Sequence, residues 1–222
     1  MLEMKYSRLL TILLVIIIIA IIGLLGYLGF SHYKNVSTKD EAEQWVATFS
    51  EQGEQTGQSQ NVSDEGNISD EVLAADVGSG QSNTSNTYKG YEVVGSIEIP
   101  KTNVTYPVFK GPPTIKKLDL AVAVGYPSGS GLNVEGNVVI MGHNYRNGSF
   151  FSDNKKLSEG DKIYIEDLDK HKITYVIYKT FITTKDDTSF YNRDTEGARE
   201  ITLSTCADDD TEQRVIVLAK EE

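Results

Sequence analysis

The only cysteine of the 222-residue chain, Cys206, and an arginine eight residues later, Arg214, are the side chains whose types and spacing point most directly to chemistry. Ile201, Leu203 and Thr205 alternate with Thr202 and Ser204, the period of a half-buried strand. Asp208-Asp209-Asp210 interrupts the apolar pattern, and Val215-Ile216-Val217-Leu218 resumes it as a more buried strand. Paired as a hairpin, these strands set the thiol and the guanidinium opposite each other near one end of a sheet. A thiolate needs a cation nearby, and the oxyanion of an acyl transfer needs a fixed donor, so one arginine suits either purpose. His143 directly follows the apolar run Asn137–Met141 and Gly142, so it too stands at the end of a strand. Thiol, imidazole and guanidinium form an acyl-transfer set. Each also has an ordinary reading: a small buried hydrophobe, a loop residue and a solvated cation.

Composition excludes other chemistries. The net charge of −11, with no basic stripe, argues against a nucleic-acid partner. One cysteine allows no internal disulfide and no multi-cysteine zinc site. His32, His143 and His171 lie far apart without a His-Glu-x-x-His pattern, so neither a metal nor another cofactor is expected. Asp208, Asp209, Asp210 and Glu212 are hard-cation ligands, but their spacing fits no EF-hand loop, and a solvated acidic turn is the better reading.

The elements that must position these residues follow a mostly β pattern. Residues 1–8 read as a cytoplasmic N-terminus and 9–30 as a transmembrane anchor, since Leu9 to Phe30 carries no charge and is long enough to span a bilayer. Lys5 and Arg8 precede the span, which places everything after Phe30 outside the cell. No small-x-small cleavage site follows, so the segment reads as retained. Within 31–50, Ser37 to Phe49 forms an amphipathic helix; Thr38 and Glu41 have capping-box spacing, and Ala42, Trp45, Val46 and Phe49 share a face for docking or membrane contact. Residues 51–87, rich in Ser, Asn, Gln, Gly and acids, bury too little apolar surface to order and read as a disordered linker. Three Asn-x-Ser/Thr triplets (Asn61, Asn67, Asn83) fall there.

From residue 88 to 222, short strands separated by turn residues predict a closed β-barrel with short helices. Strands are expected at Val93–Ile99, Val104–Phe109 (an edge, because of Pro107), Val122–Val124, Asn137–Met141, Lys162–Glu166 and Lys172–Thr183. Helical turns are expected at Thr114–Leu120 and Phe150–Leu157.

The motifs then become familiar. Thr202-Leu203-Ser204-Thr205-Cys206 resembles the Thr-Leu-x-Thr-Cys signature of sortases, the membrane-anchored transpeptidases of mainly Gram-positive bacteria, and Arg214 stands where that family has its essential arginine. Gly136-Asn137-Val138-Val139-Ile140-Met141-Gly142-His143-Asn144 resembles the family's histidine motif. Ile99-Pro100-Lys101 and Tyr106-Pro107-Val108 resemble its early strands. Gly142-His143-Asn144 with Asn147-Gly148-Ser149-Phe150-Phe151 is most similar to class B, although only Thr184 to Ala198 stands where class B carries a long helical insertion. Without an Asp-Pro-aromatic lid or a second apolar span, a pilus-polymerising class C enzyme is not expected.

The resemblance implies a sortase-like barrel and a cysteine transpeptidase. Cys206 would attack the carbonyl after the Thr of a C-terminal sorting pentapeptide on a surface protein, and a peptidoglycan-precursor amine would resolve the thioester. His143 would move the protons, Arg214 would hold the oxyanion, and Asn144, Ser204 and Thr205 would shape the substrate site. Thr205 reads equally as a strand residue filling the barrel, and Tyr145 and Arg146 as flanking the groove or lying on the surface. Two competing readings are a catalytically idle, membrane-tethered β-domain that binds wall or protein ligands, and a plain cysteine protease. The protease reading lacks an evident Asn or Asp to orient the histidine.

Overall fold

The computed structural model describes residues 2–56, 86–127, 130–208 and 210–222. The three Asn-x-Ser/Thr triplets and most of the linker lie outside them. Chain contacts divide the protein into two units, Met1–Glu41 and Ala42–Glu222. The first is the larger part of a helix, α1 (Leu2–Thr56), and holds Ile12–Phe30, whose mean hydropathy is 3.0 and of which nothing is buried by protein. That stretch is long and apolar enough to cross a membrane. Because α1 runs unbroken through Ser37, the capping-box spacing of Thr38 and Glu41 starts no helix.

The second unit opens with the end of α1. Ala42, Val46 and Phe49 are buried and Trp45 packs beside them, its ring 5.0 Å from Phe49 and 6.0 Å from Tyr88. Ser50 Oγ donates to Glu166 Oε2 at 2.8 Å. The amphipathic face therefore docks on the β-domain, at roughly 1.5–3 kcal/mol per fully buried large apolar side chain. The compact unit begins at Ala42 rather than at Tyr88, and α1 continues through Glu51–Thr56, which the composition assigned to the linker.

Nine strands follow: β1 (Thr87–Tyr88), β2 (Tyr91–Ile99), β3 (Val104–Phe109), β4 (Val122–Tyr126), β5 (Gly136–Met141), β6 (Lys162–Asp167), β7 (Lys172–Thr184), β8 (Arg199–Cys206) and β9 (Gln213–Glu221). Their order is β1-β2-β3-β4-β5-β8-β9-β7-β6, and β2 also pairs with β6, so β2 to β9 close into an eight-stranded barrel with β1 appended. At the seam, β2 bulges between Val93 and Gly95; a Cβ on Gly95 (φ +149) would lie 2.1 Å from the carbonyl oxygen of Glu166, so only glycine lets β2 and β6 approach. A helical turn, α2 (Ile115–Leu118), connects β3 to β4, with the Thr114 hydroxyl accepting from the Lys117 amide. The expected helix at Phe150–Leu157 is only a 3₁₀ turn, Asn154–Lys156. Phe150 has φ 52 and bridges to Asn144, and that conformation cannot start a helix.

Two strands differ from their sequence reading for local reasons. β3 is not an edge, because it pairs with β2 throughout and runs parallel to β4; yet the β4 register begins at Val108, just past Pro107, whose nitrogen has no hydrogen to give. β8 is not half-buried, since Ile201 through Thr205 are all buried. Ile201 and Leu203 point into the barrel core with Val138, Ile140 and Val217. On the other face, Val139, Ile216 and Leu218 form a second apolar cluster with Phe190 from the β7–β8 connection. That connection covers the outside of the barrel, which is why Val215–Leu218 reads as an unbroken apolar run.

Candidate active site

β8 and β9 pair antiparallel with Cys206 opposite Arg214. Alternation places Thr202, Ser204 and Cys206 on the outward face of β8, the face under the β7–β8 connection. β5 lies parallel to β8 on its other side, with Met141 in register with Ser204, and the Gly142 amide donates to the Ser204 carbonyl at 3.2 Å. His143 thus leaves β5 beside the end of β8. A Cβ on Gly142 would come within 2.7 Å of Phe151 and 2.9 Å of Val122, so glycine is what allows this tight exit. The loop after His143 is pinned by Phe150 and Phe151, both buried: the Phe151 amide donates to the His143 carbonyl at 3.1 Å, and the Phe150 ring stacks on Tyr106 at 5.0 Å.

His143, Cys206 and Arg214 line one cavity of about 250 Å³. Ser204 and Thr205 line it as well, with Met141 and Leu118 supplying apolar wall and Lys185, Phe190 and Tyr191 coming from the β7–β8 connection. Cys206 is partly accessible and its thiol is free. Thr205 is buried and, by the same alternation, falls on the inward face of β8 with Ile201 and Leu203; its hydroxyl has no hydrogen-bond partner among the described residues. Arg214 Nη1 donates to the carbonyls of Thr211 (2.6 Å) and Gln213 (2.9 Å), which tethers the guanidinium to its own turn.

Asn144 is placed differently. It does not line the cavity; its Nδ2 donates to the Cys206 carbonyl at 2.9 Å and to Asp208 Oδ1 at 2.7 Å. Asp208 also pairs with Lys155, and Asp210 Oδ1 accepts the Glu212 amide at 2.8 Å, so these carboxylates of the acidic turn serve the chain's own donors. The side chain expected to touch substrate instead ties the histidine loop to the backbone of Cys206.

Two neighbours of His143 were not marked by the sequence as site residues. Asp119, just past α2, brings Oδ1 within 3.3 Å of His143 Nε2, ion-pair distance without the alignment of a hydrogen bond. Tyr145, read only as flanking the groove or on the surface, lies with its ring 4.9 Å from that of His143, and its hydroxyl donates to Asp119 Oδ1 at 2.5 Å. Burial, that hydrogen bond and the carboxylate charge push the Tyr145 phenol up to about 12, so it remains a donor across the neutral range. The acid that seemed missing beside the histidine is therefore present, brought from 24 residues upstream by the α2–β4 turn. Arg146, by contrast, lies exposed beyond the cavity lining.

The cavity joins a partly accessible thiol, an imidazole beside a carboxylate and a tethered guanidinium at the end of adjacent strands, the group types of nucleophilic acyl transfer. Comparison with known proteins agrees with this architecture. The family model described as Sortase domain matches residues 97–222. A protein named sortase A from Listeria monocytogenes is 36% identical over 115 residues, covering 51% of this chain and 49% of its own length. Sortase A of Bacillus anthracis is 32% identical over 128 residues, 57% of this chain and 58% of its own. The match thus spans about half the length of these relatives. The crystal structure of Listeria monocytogenes sortase A superposes with a TM-score of 0.53 at 28% identity, over 59% of this chain and 87% of that one. The class B likeness of the histidine motif is not carried by these relatives, and the β7–β8 connection holds no helix.

Proposed function

The chain belongs to the sortase family, and from that premise we propose that it is a membrane-anchored cysteine transpeptidase that joins surface proteins to a cell-wall amine. The apolar helix Ile12–Phe30 is the anchor, the N-terminus lies in the cytoplasm, and the barrel works outside. The observation that carries the reading is the pairing of Cys206 with Arg214 across two strands while His143 opens onto the same cavity.

The reaction follows from these positions. The Cys206 thiol passes its proton to His143 as its sulfur attacks the carbonyl carbon after the Thr of a sorting peptide, and Arg214 donates to the oxygen as it becomes negative. Collapse breaks the peptide C–N bond, and His143 gives its proton to the departing amine. The product is a thioester on Cys206. An incoming amine loses its proton to His143, bonds to the same carbon and expels the sulfur, restoring both groups. Ser204 contacts the peptide; Asn144 holds the histidine loop in place against Cys206.

Mass spectrometry of the full chain in detergent, incubated with sorting pentapeptides and candidate amines, tests this. One peptide is expected to leave an acyl adduct on Cys206, and an added amine to discharge it as a new amide. Release only as the free acid would favour the protease reading, which Asp119 beside His143 also suits. Failure of every peptide to form an adduct would favour the idle binder.

Asp119 is expected to act through His143, keeping the imidazole oriented toward the leaving nitrogen. Its side chain is about half exposed, so an interaction of at most roughly 1 kcal/mol, about three- to fivefold in kcat, is at stake. Asp119→Asn should lower kcat by about that factor with KM unchanged, measured with a fluorogenic peptide. A rise in KM alone would place Asp119 in substrate binding instead.

A further inference from the structure

Asn137 and Thr202 belong to the histidine and cysteine motifs, yet neither touches the cavity. Both are buried on the outward faces of β5 and β8, and both reach Arg193 in the β7–β8 connection. Arg193 Nη2 donates to Asn137 Oδ1 at 2.9 Å and to Thr202 Oγ1 at 3.3 Å. Its Nη1 donates to the Tyr178 hydroxyl at 2.5 Å and pairs with Glu200 Oε2 at 2.5 Å. The Thr202 hydroxyl donates to Asn137 Oδ1 at 2.7 Å, and the Tyr178 hydroxyl to Glu200 at 2.8 Å. The side chains of Arg193 and Glu200 are only 18% and 12% exposed, so the pair is little screened by water.

The remaining valences of Asn137 show what the network holds. Its Nδ2 donates to the carbonyls of Phe190 and Tyr191, both at 2.9 Å. Those two residues bring the β7–β8 connection to the cavity. The connection contains no helix or strand and has only isolated backbone turns, such as the Tyr191 amide donating to the Thr188 carbonyl at 3.0 Å, so side-chain bonds add to what fixes its shape. Phe190 is additionally anchored in the apolar cluster with Val139, Ile216 and Leu218. Tyr191 is only partly buried; its ring packs on Tyr126 (5.6 Å) and Phe190 (4.6 Å), its amide is held by the Thr188 carbonyl, and Asn137, itself held by Arg193, fixes its carbonyl.

We propose that Asn137, Thr202 and Arg193 act as a clasp that positions Phe190 and Tyr191 as one wall of the peptide groove and so sets which sorting peptides the enzyme accepts. This rests on the transpeptidase reading above. These are positioning residues: none contacts the reacting atoms. Losing the clasp frees the wall without displacing Cys206, His143 or Arg214, so binding discrimination suffers before chemistry does.

The test uses full-length Arg193→Ala in detergent against the best peptide and a set of single-residue variants of it. KM for the best peptide should rise about tenfold, as expected for losing hydrogen bonds to a charged group, with kcat held within about twofold. The spread of kcat/KM across the peptide set should shrink by a similar factor, and alkylation of Cys206 by iodoacetamide should keep its rate. If Arg193→Ala fails to fold, Arg193→Lys, which preserves the charge opposite Glu200 but cannot reach Asn137 and Tyr178 together, carries the same measurements. Unchanged KM and selectivity in a folded variant would overturn the proposal. So would a parallel fall in kcat and alkylation, since that marks a general structural role. A wild-type chain that acylates with no peptide would overturn the transpeptidase reading and this inference with it, whereas an active wild type isolates the failure to the clasp.

Discussion

Cys206→Ala forms no acyl adduct and anchors no tagged substrate at the cell surface; the expected loss is on the order of 10⁴ or more, the scale of deleting a nucleophile. Cys206 ends β8, is partly solvent-accessible and makes no disulfide, so removing its sulfur leaves the strand and its β9 partner intact. Circular dichroism and the melting transition should match the parent, which separates a chemical loss from a folding one. The idle-binder reading makes the opposite forecast, because a domain that only binds retains surface association when its thiol is gone. Measuring anchoring and peptide binding on the same variant decides between them: binding kept with anchoring lost supports the enzyme, and both kept sinks it.

The placement of the candidate site's three side chains is legible in the sequence because they lie on strands whose ends are marked. The acidic turn after Cys206 fixes where β8 stops, and Gly142 fixes where β5 stops, so residue types alone assign the thiol, the guanidinium and the imidazole to strand ends. The cross-strand pairing of Cys206 and Arg214 follows once the two strands form a hairpin. What could not be read were contacts set by turns with no periodic signal. Asp119 reaches His143 only because α2 is a single turn that reverses into β4, and the spacing of 24 residues carries no hint of that. Asn144 sits beside the histidine in sequence but spends its amide on Cys206 and Asp208, a fact of loop geometry rather than residue type.

The same distinction separates the legible and illegible parts of the fold. Alternation and apolar runs located the strands within a few residues, since burial on one or both faces writes itself into composition. Period two alone, however, misjudged β8, whose outward Thr202 and Ser204 are buried by an irregular connection rather than by a sheet. The docking of Trp45, Val46 and Phe49 is a related case. The amphipathic face was visible, but its partner, the barrel surface around Tyr88 and Phe109, lies across a low-complexity stretch. A fragment cut at Tyr88 would strip apolar cover from that surface, so the folded unit is better taken from Ala42.

Arg214→Lys is expected to lower kcat by about 10²–10³, the range for losing one preorganised oxyanion donor, with a smaller change in KM. A lysine keeps the charge but not the geometry. The guanidinium can bond the Thr211 and Gln213 carbonyls through Nη1 and still present other N–H groups from the same rigid plane. An ammonium has one flexible nitrogen, and satisfying the turn carbonyls would turn its hydrogens away from the cavity. The variant also separates the two duties open to this arginine. If its work is to stabilise the oxyanion, acyl transfer falls by that factor while iodoacetamide alkylates Cys206 within a few-fold of the parent rate. If its work is to stabilise the thiolate, a lysine in the same place should serve nearly as well, and whatever is lost should appear equally in alkylation and acylation. A hundredfold fall confined to acylation supports the oxyanion role, and equal small losses in both assays would refute it.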